Sequence, residues 1–116
     1  MAESRKPPDG LSPIAFIRVC LKRRRVFWTY HANMRLAHRL VTRGEIHESA
    51  ESYELIEAYP DDKYLPSYLV LAQGASDPLH VLFAIDRAGD NVRVVTAYRP
   101  NPDEWAPDFK TRRAAQ

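Results

Sequence analysis

The sequence predicts an α+β domain in which two to three N-terminal helices pack on one face of a four-stranded antiparallel sheet, with a short C-terminal helix. The hydrophobic period changes near residue 50. Before this point apolar residues recur at helical spacing, and after it four short runs rich in β-branched and aromatic residues are separated by turn-forming segments. Helices followed by consecutive strands are typical of this class.

Length and composition predict one domain. The chain has 116 residues, enough for a single core, which we place at 12–112 between a disordered lead at 1–11 and a loose tail at 113–116. The chain has neither an apolar run of about 18 residues nor a signal-peptide core, so we expect a cytoplasmic protein that does not enter a membrane. The one cysteine, Cys20, excludes an internal disulfide and is expected to be a small buried hydrophobe.

The first and third helices have clear start signals. Ser12 is the expected N-cap of a helix at about 13–24, with Pro13 at its first position. Thr42 and Glu45 match a capping box at the start of a shorter third helix. We therefore expect the side chains of Ser12 and Thr42 to accept the first backbone N–H bonds of these helices.

The second helix, predicted at about 29–40, has two different sides. It follows "VFWT", which is either a short strand or an extended link. At 100° per residue one side is apolar and the opposite arc is basic and histidine-rich. The apolar side comprises Met34, Leu36, Ala37, Leu40 and Val41, and the opposite arc comprises His31, Arg35, His38 and Arg39. The helix is expected to dock by the first side and to display the second.

The four strands are predicted in "YELIEAY", "SYLVLAQ", "LHVLFAID" and "NVRVVTAY". The turn between the last two, "DRAGD", has Asp86 at its first position and Gly89 at the left-handed fourth position. Three loop residues would then pair Asp86 with Asp90.

This register places His80 opposite Thr96, with Tyr98 on the same face. A four-residue loop would place His80 opposite Ala97 instead. The choice between the two loops decides whether His80 and Thr96 are neighbours.

A short C-terminal helix is predicted after the last strand. Asn101 is its expected N-cap and Pro102 its first residue. Trp105 and Phe109, one helical turn apart, are expected to pin the segment to the body, while Pro107 limits its helicity.

Charge is distributed unevenly along the chain. Residues 1–50 hold ten Lys/Arg against four Asp/Glu, and residues 51–116 hold seven against eleven. The basic half is a surface for phosphate or for an acidic protein, or it is simply a set of solvated helix faces.

The histidines do not predict a metal site. His31 and His38 would lie about 10 Å apart along the helix axis, too far to share an ion bound at about 2 Å from each nitrogen. The sequence has no glycine-rich phosphate loop, nucleophile elbow or dinucleotide fingerprint. We expect neither a metal nor a cofactor.

What remains is a set of His, Arg, Thr and Tyr side chains divided between the second helix and the sheet. These types suit cleavage of RNA without a metal, in which a base takes the proton of the 2′-hydroxyl, an acid protonates the leaving 5′ oxygen and a cation stabilises the phosphorane. Imidazole titrates near neutrality, and guanidinium binds phosphate through two N–H groups. The same residue types also occur as ordinary buried histidines and ion-paired arginines.

Four segments resemble the bacterial family called domain of unknown function 4258. They are "YHANMRLAHR", "YLPSYLVLA", "HVLFAID" and "VRVVTAYRPNPDEW", spread over about residues 13–112, and "VVTAYRPNPDEW" is the most specific. The resemblance implies a relation to the RelE-like and barnase-like ribonuclease toxins, in which a helix pair covers a small antiparallel sheet whose open side carries the site. It implies a toxin of a type II toxin–antitoxin pair, with an antitoxin protein as partner and RNA, including ribosome-bound message, as substrate.

Carried over by position, the resemblance implies the catalytic residues His31, His80 and Arg35 and the substrate-binding residues Thr96 and Tyr98. Such toxins also use basic residues around the message, and Arg39 and Arg99 are our candidates for these substrate-binding contacts. We expect His31 and His80 to be the proton-transfer pair. Arg35 would hold the phosphate, and Arg93 is a further candidate for contacts with the message.

Two other hypotheses stay open. The first is a non-catalytic binding module of the same fold that binds RNA or an acidic partner protein, for which salt-sensitive binding without cleavage would argue. The second is a component that only dimerises or neutralises a partner, which a flat apolar patch around Trp28 or Trp105 would indicate.

Overall fold

The structure is a computed structural model that describes residues 10–39, 41–74 and 77–113. The helices are α1 (Pro13–Lys22), α2 (Tyr30–Arg39) and α3 (Arg43–Glu48), followed by a 3₁₀ turn (Ala50–Ser52), and the strands are β1 (Val26–Trp28), β2 (Glu54–Tyr59), β3 (Ser67–Gln73), β4 (Pro78–Asp86) and β5 (Asn91–Tyr98). Most of the predicted lead and tail lies outside the described residues, as do Leu40 and the side chains of Arg35 and Arg39.

The sheet has five strands in the order β1-β5-β4-β3-β2. Strands β2 to β5 form the predicted antiparallel meander. The prediction of four strands was wrong in number, because β1 pairs in parallel with β5 through Val26, Phe27 and Trp28. A run of three residues is too short for its period to distinguish a strand from a link.

The predicted helix starts are confirmed. The Ser12 side chain accepts a hydrogen bond from the Ala15 N–H, and the Thr42 side chain accepts one from the Glu45 N–H. Helix α1 ends at Lys22 rather than at residue 24, because Arg24 has φ 61°, a left-handed conformation that turns the chain into β1.

The docked side of α2 differs from the predicted one. Ala32 and Val41 are buried, but Met34 is 46% exposed and Ala37 is exposed, so the prediction was wrong for these last two. Thr29 sets the rotation of the helix: its side chain accepts a bond from the Ala32 N–H at 3.0 Å, and its own N–H donates to the Val94 carbonyl of β5 at 3.3 Å. These bonds fix the rotation of α2, so Met34 stays exposed although it is hydrophobic.

The β4–β5 hairpin corrects the predicted register. Asp86 pairs with Asn91 across a four-residue turn, and Asp90, at φ 59°, is the left-handed residue instead of Gly89. The Arg25 guanidinium stabilises this conformation through the Asp90 carbonyl at 2.5 Å and the Asp90 carboxylate at 3.5 Å.

A bulge further along the same hairpin adds a second shift. Leu82 pairs with Thr96 while Phe83 pairs with Val94, so Val95 is the extra residue. His80 therefore lies opposite Tyr98, and both loop alternatives placed it opposite a different residue.

The two faces of the sheet are covered differently. The helices pack on one face around a core that includes Phe16, Ile17 and Val81. Cys20 lies in this core as predicted, and burial, with a smaller effect of the Asp90 charge, raises the pKa of its thiol to about 11. Within the described ranges, no helix is long and apolar enough to cross a membrane.

The opposite face is covered in part by the C-terminal segment, which we define as residues 101–113. The predicted helix is absent: the Asn101 carbonyl accepts the N–H bonds of Glu104 and Trp105, but the chain then turns back and Trp105 pairs with Arg112. Pro107, which has no N–H to donate, does not support a continuing helix. Trp105 is 2% exposed, so it does pin the segment as predicted and forms no surface patch.

Candidate functional site

A groove of about 690 Å³ runs beside the C-terminal end of β5. Its lining comes from α2, from β5 with the residue that follows it, and from the C-terminal segment. The lining residues are His31 of α2, Val95, Thr96 and Tyr98 of β5, Arg99 directly after β5, and Asn101 and Glu104 of the C-terminal segment. The groove exists because β1 pairs only with residues 92–94, which leaves the rest of that edge of β5 next to α2. Four of the predicted site residues thus lie around one cavity.

His31 lies in the first turn of α2 and is exposed to the groove. The Thr29 contacts with Ala32 and β5 fix the start of this helix. The ring of Tyr30 meets the His31 imidazole edge-on, with 5.9 Å between the centroids. The imidazole is therefore on a rigid element and open to solvent, which suits a group that exchanges protons with a bound ligand.

Thr96 contributes an unpaired polar atom to the groove. Its Oγ1 is shielded from solvent and makes no hydrogen bond to any residue that the structure describes. A buried hydroxyl without a partner costs about 1–3 kcal/mol. Rotation of this side chain toward the groove would let a ligand oxygen remove this cost.

Tyr98 connects the groove to His80, which is fully buried behind it. The Tyr98 hydroxyl lies 3.2 Å from Nδ1 of His80, and the Phe109 carbonyl lies 2.8 Å from Nε2. Because a carbonyl only accepts, Nε2 carries the proton, and Nδ1 accepts the bond from the Tyr98 O–H. The Trp105 ring packs edge-on against the imidazole at 4.5 Å.

Burial dominates the proton affinities of this pair. It lowers the pKa of His80, against smaller opposing effects of the Phe109 carbonyl and the Glu57 charge, and it raises the pKa of Tyr98. Both side chains are therefore neutral near pH 7, the state in which the phenol donates and the imidazole accepts.

Arg99 is held in place by the opposite charge of Glu45. Its Nη2 donates to both carboxylate oxygens at 2.9 Å, and Nη1 donates to the Asp77 carbonyl at 3.0 Å. A Cβ on Gly74 would collide with the Glu45 and Asp77 oxygens, so only glycine leaves room for this pair. The guanidinium of Arg99 is fixed in the groove wall with its charge largely balanced.

Not every predicted site residue lines the groove. His80 reaches it only through Tyr98. Arg93 lies elsewhere, 3.7 Å from the carboxylate of Asp86. The side chains of Arg35 and Arg39 are outside the described part of the chain. The catalytic and binding roles of these residues stay predictions.

Sequence reasoning missed several residues of this region. Asn101 and Glu104 line the groove, although "PNPDEW" was interpreted as a helix start and as part of the family motif, with no site role for either residue. Arg112 donates two hydrogen bonds to the Glu57 carboxylate, at 2.6 and 3.1 Å, and its guanidinium stacks on Trp105 at 4.6 Å. Tyr59 donates to the same carboxylate, whose pKa the Arg112 bond lowers. No spacing in the sequence indicated a link between residues 57 and 112.

The buried imidazole predicts a pH dependence of stability. Because burial lowers the pKa of His80, the unfolded chain binds this proton at higher pH than the folded chain. The neutral His80 ring contributes fully to the free energy of unfolding above the pKa of about 6.5 that it has in the unfolded chain. This contribution is lost as the pH falls toward the lowered pKa of His80 in the folded chain. We expect the free energy of unfolding in urea to fall between about pH 7 and pH 5, and His80→Gln, which keeps a donor and an acceptor, to flatten that fall. Equal slopes for both proteins would contradict this assignment.

The fold and the groove together define an α+β domain with a polar cavity between its second helix and its last strand. A family model described as "Domain of unknown function (DUF4258)" matches residues 28–99. This is more than half of the chain, so the chain belongs to that family. No curated protein and no solved structure matches the chain.

The match is narrower than the span of about 13–112 suggested by the sequence motifs. It includes His31, Thr96, Tyr98 and Arg99 of the groove and also His80. It ends before Asn101 and Glu104, so the C-terminal wall of the groove lies beyond the matched range.

Proposed function

We propose that the protein is a metal-independent endoribonuclease that cleaves RNA in the groove beside β5. One observation carries the proposal: His31 and Tyr98 line the same cavity, and His80 hydrogen-bonds to Tyr98 from behind. The site thereby offers two separate routes for protons, which is the requirement of phosphodiester transesterification.

In the proposed reaction the 2′ oxygen attacks phosphorus as the bond to the 5′ oxygen breaks. The proton of the 2′-hydroxyl passes to the Tyr98 oxygen while the phenol proton passes to Nδ1 of His80. The resulting imidazolium would be stabilised by its bond to the Phe109 carbonyl and by the nearby Glu57 charge. His31, which enters the reaction as the imidazolium, donates a proton to the leaving 5′ oxygen. The site is reset when His80 returns its extra proton to water through Tyr98 and His31 takes up one proton from water.

The phosphate contacts complete the proposed site. Thr96 keeps its predicted substrate-binding role: its Oγ1, which is buried and unpaired in the structure, donates to a phosphate oxygen once its side chain rotates toward the groove. Arg35 keeps its predicted role as the cation on the phosphorane, with Arg39 and Arg99 as further substrate-binding residues. A cation beside the phosphorane stabilises charge that develops only in the transition state, and this is the largest contribution in many enzymes.

The biological setting that we propose is a toxin of a type II toxin–antitoxin pair with a RelE-like or barnase-like fold. Its support is the sequence resemblance, together with the coarser observation that helices cover one face of an antiparallel meander. An antitoxin protein is the proposed partner, and free RNA or ribosome-bound message is the proposed substrate.

The test is cleavage of an end-labelled RNA by the purified protein in EDTA at low salt, beside identically purified His31→Ala and His80→Ala proteins. The proposal predicts fragments with 2′,3′-cyclic phosphate ends from the wild type and a strong loss in both variants. Equal cleavage by all three proteins would attribute the activity to a contaminant or to other residues.

Removing the Tyr98 hydroxyl tests the proton relay. Tyr98→Phe is expected to slow cleavage by about a hundredfold, at the lower end of what general acid–base groups contribute, because the 2′ proton loses its path to His80. Tyr59→Phe is the matched control, since its hydroxyl bonds to Glu57 and does not line the groove. Equal rates for the two variants in single-turnover cleavage would exclude the relay.

A second candidate function is a non-catalytic module that binds RNA or an acidic partner protein. The pairing of Arg99 with Glu45 and the burial of His80 favour it, because neither group is fully available to a substrate. Binding of an RNA strand that weakens steeply with salt, with no cleavage in the assay above, would support this candidate.

A further inference from the structure

A second pocket lies on the helix-covered side of the sheet edge, separate from the groove. It has a volume of about 380 Å³ and is lined by Arg24, Val26, Trp28, Arg43, Gly44, His47 and Glu48. We call it the tryptophan pocket. None of its lining residues lines the groove.

One of the two arginines of the tryptophan pocket is positioned by an aromatic contact. The Arg43 guanidinium lies over the Trp28 ring, 4.7 Å from its centroid, and also donates to Oδ1 of Asn33 at 2.5 Å. Arg24 lines the same pocket, and its backbone is left-handed, a conformation that costs a non-glycine residue about 1 kcal/mol or more. Among the described residues, neither arginine pairs with a carboxylate within 4.0 Å.

His47 adds a neutral hydrogen-bond donor. Nη1 of Arg24 lies 3.5 Å from Nε2 of His47, and since guanidinium only donates, Nε2 is the acceptor and Nδ1 carries the proton. Burial and the Arg24 charge lower the pKa of this imidazole, so it stays neutral. Its ring lies 6.1 Å from that of Trp28.

Two guanidinium groups, an imidazole N–H and an indole ring match the chemistry of a nucleotide. Guanidinium forms paired hydrogen bonds with phosphate oxygens, and aromatic rings stack on bases of any sequence. An adjacent cavity of about 320 Å³ shares Arg24, His47 and Glu48 and adds Lys22 as a further cation. Glu48, and Glu51 in the adjacent cavity, are the opposing charges.

We propose that the tryptophan pocket binds a backbone phosphate of a single RNA strand, outside the bond that the groove cleaves. The proposal rests on the proposed function for the identity of the ligand as RNA. The pocket would add affinity and hold the strand without taking part in the chemistry.

The test is binding of a fluorescent 2′-O-methyl oligoribonucleotide, which cannot be cleaved because its 2′ oxygen has no proton, measured by anisotropy across a range of salt. Arg24→Gln combined with Arg43→Gln is expected to weaken binding by about tenfold or more and to lower the slope of log affinity against log salt by about one. The matched control is Arg87→Gln, an exposed arginine that bonds to the Leu11 carbonyl. Glu48→Gln is expected to strengthen binding, because it removes the carboxylate from the pocket wall.

Unchanged binding in the double variant, equal losses in the double variant and in Arg87→Gln, or no binding by the wild type would each overturn the proposal. Cleavage of unmodified RNA is scored separately. A protein that binds through the pocket but does not cleave would refute the proposed function alone. If both proposals hold, the double variant keeps its cleavage rate within about twofold at saturating RNA.

Discussion

His31→Ala is expected to reduce RNA cleavage by about 10²–10⁴-fold, the usual contribution of a general acid or base. His31 is the one histidine that lines the groove among the described residues, and Thr96 and Tyr98 line the same cavity. Without it, no imidazole in the described part of the groove can protonate the leaving 5′ oxygen directly. The measurement is the single-turnover rate of cleavage of an end-labelled RNA in EDTA.

His38→Ala is the matched control for this experiment. His38 is exposed on the same helix, two turns and about 10 Å farther along the axis, and it does not line the groove. Its substitution should leave the cleavage rate unchanged, and both variants should unfold at the temperature of the wild type. Equal losses in the two variants, or none in either, would remove His31 from the reaction.

Trp105→Ala is expected to lower the free energy of unfolding by about 3–5 kcal/mol, as is usual when a buried large aromatic side chain is truncated. Its ring is enclosed between the His80 imidazole at 4.5 Å and the Arg112 guanidinium at 4.6 Å. The substitution leaves a cavity beside a buried polar group and detaches the C-terminal segment from the sheet. Urea denaturation followed by circular dichroism measures the change.

Two further variants make this stability prediction specific. Trp105→Phe, which keeps an aromatic ring against His80, should recover a large part of the loss. Tyr64→Ala, at a side chain that is 84% exposed, should change the free energy of unfolding by less than about 0.5 kcal/mol. A loss below about 1 kcal/mol for Trp105→Ala would show that the C-terminal segment does not cover this face of the sheet in solution.

The helices and the antiparallel meander were predictable because they rest on local signals. Ser12 and Thr42 cap their helices as their sequence context predicts, and the strands follow the change of period near residue 50. The sequence left residues 26–28 open between a short strand and an extended link, because these three residues form a strand only beside the free edge of β5. The exposure of Met34 likewise depends on Thr29 anchoring the helix to a distant strand.

The candidate site was predictable only in the part that local sequence signals indicate. Residue types suggested a site of His, Arg, Thr and Tyr side chains, and the family resemblance pointed to particular positions. The fold brings four of these residues, His31, Thr96, Tyr98 and Arg99, to one groove. The position of His80 opposite Tyr98 depends on the turn with the left-handed Asp90 and on the bulge at Val95. Each of them shifts the strand register by one residue, and no turn motif in the sequence indicated both. The link between Glu57 and Arg112 spans most of the domain and has no local signature.

The most direct test of the central claim uses a DNA oligonucleotide that contains a single ribonucleotide. Because the proposed reaction needs a 2′-hydroxyl next to the cleaved bond, wild-type protein in EDTA should cut only after that ribonucleotide and leave a 2′,3′-cyclic phosphate, while His31→Ala should leave the strand intact. Cleavage at deoxyribonucleotides, or cleavage at the ribonucleotide that His31→Ala retains at the wild-type rate, would contradict an RNA-cleaving site in the groove beside β5.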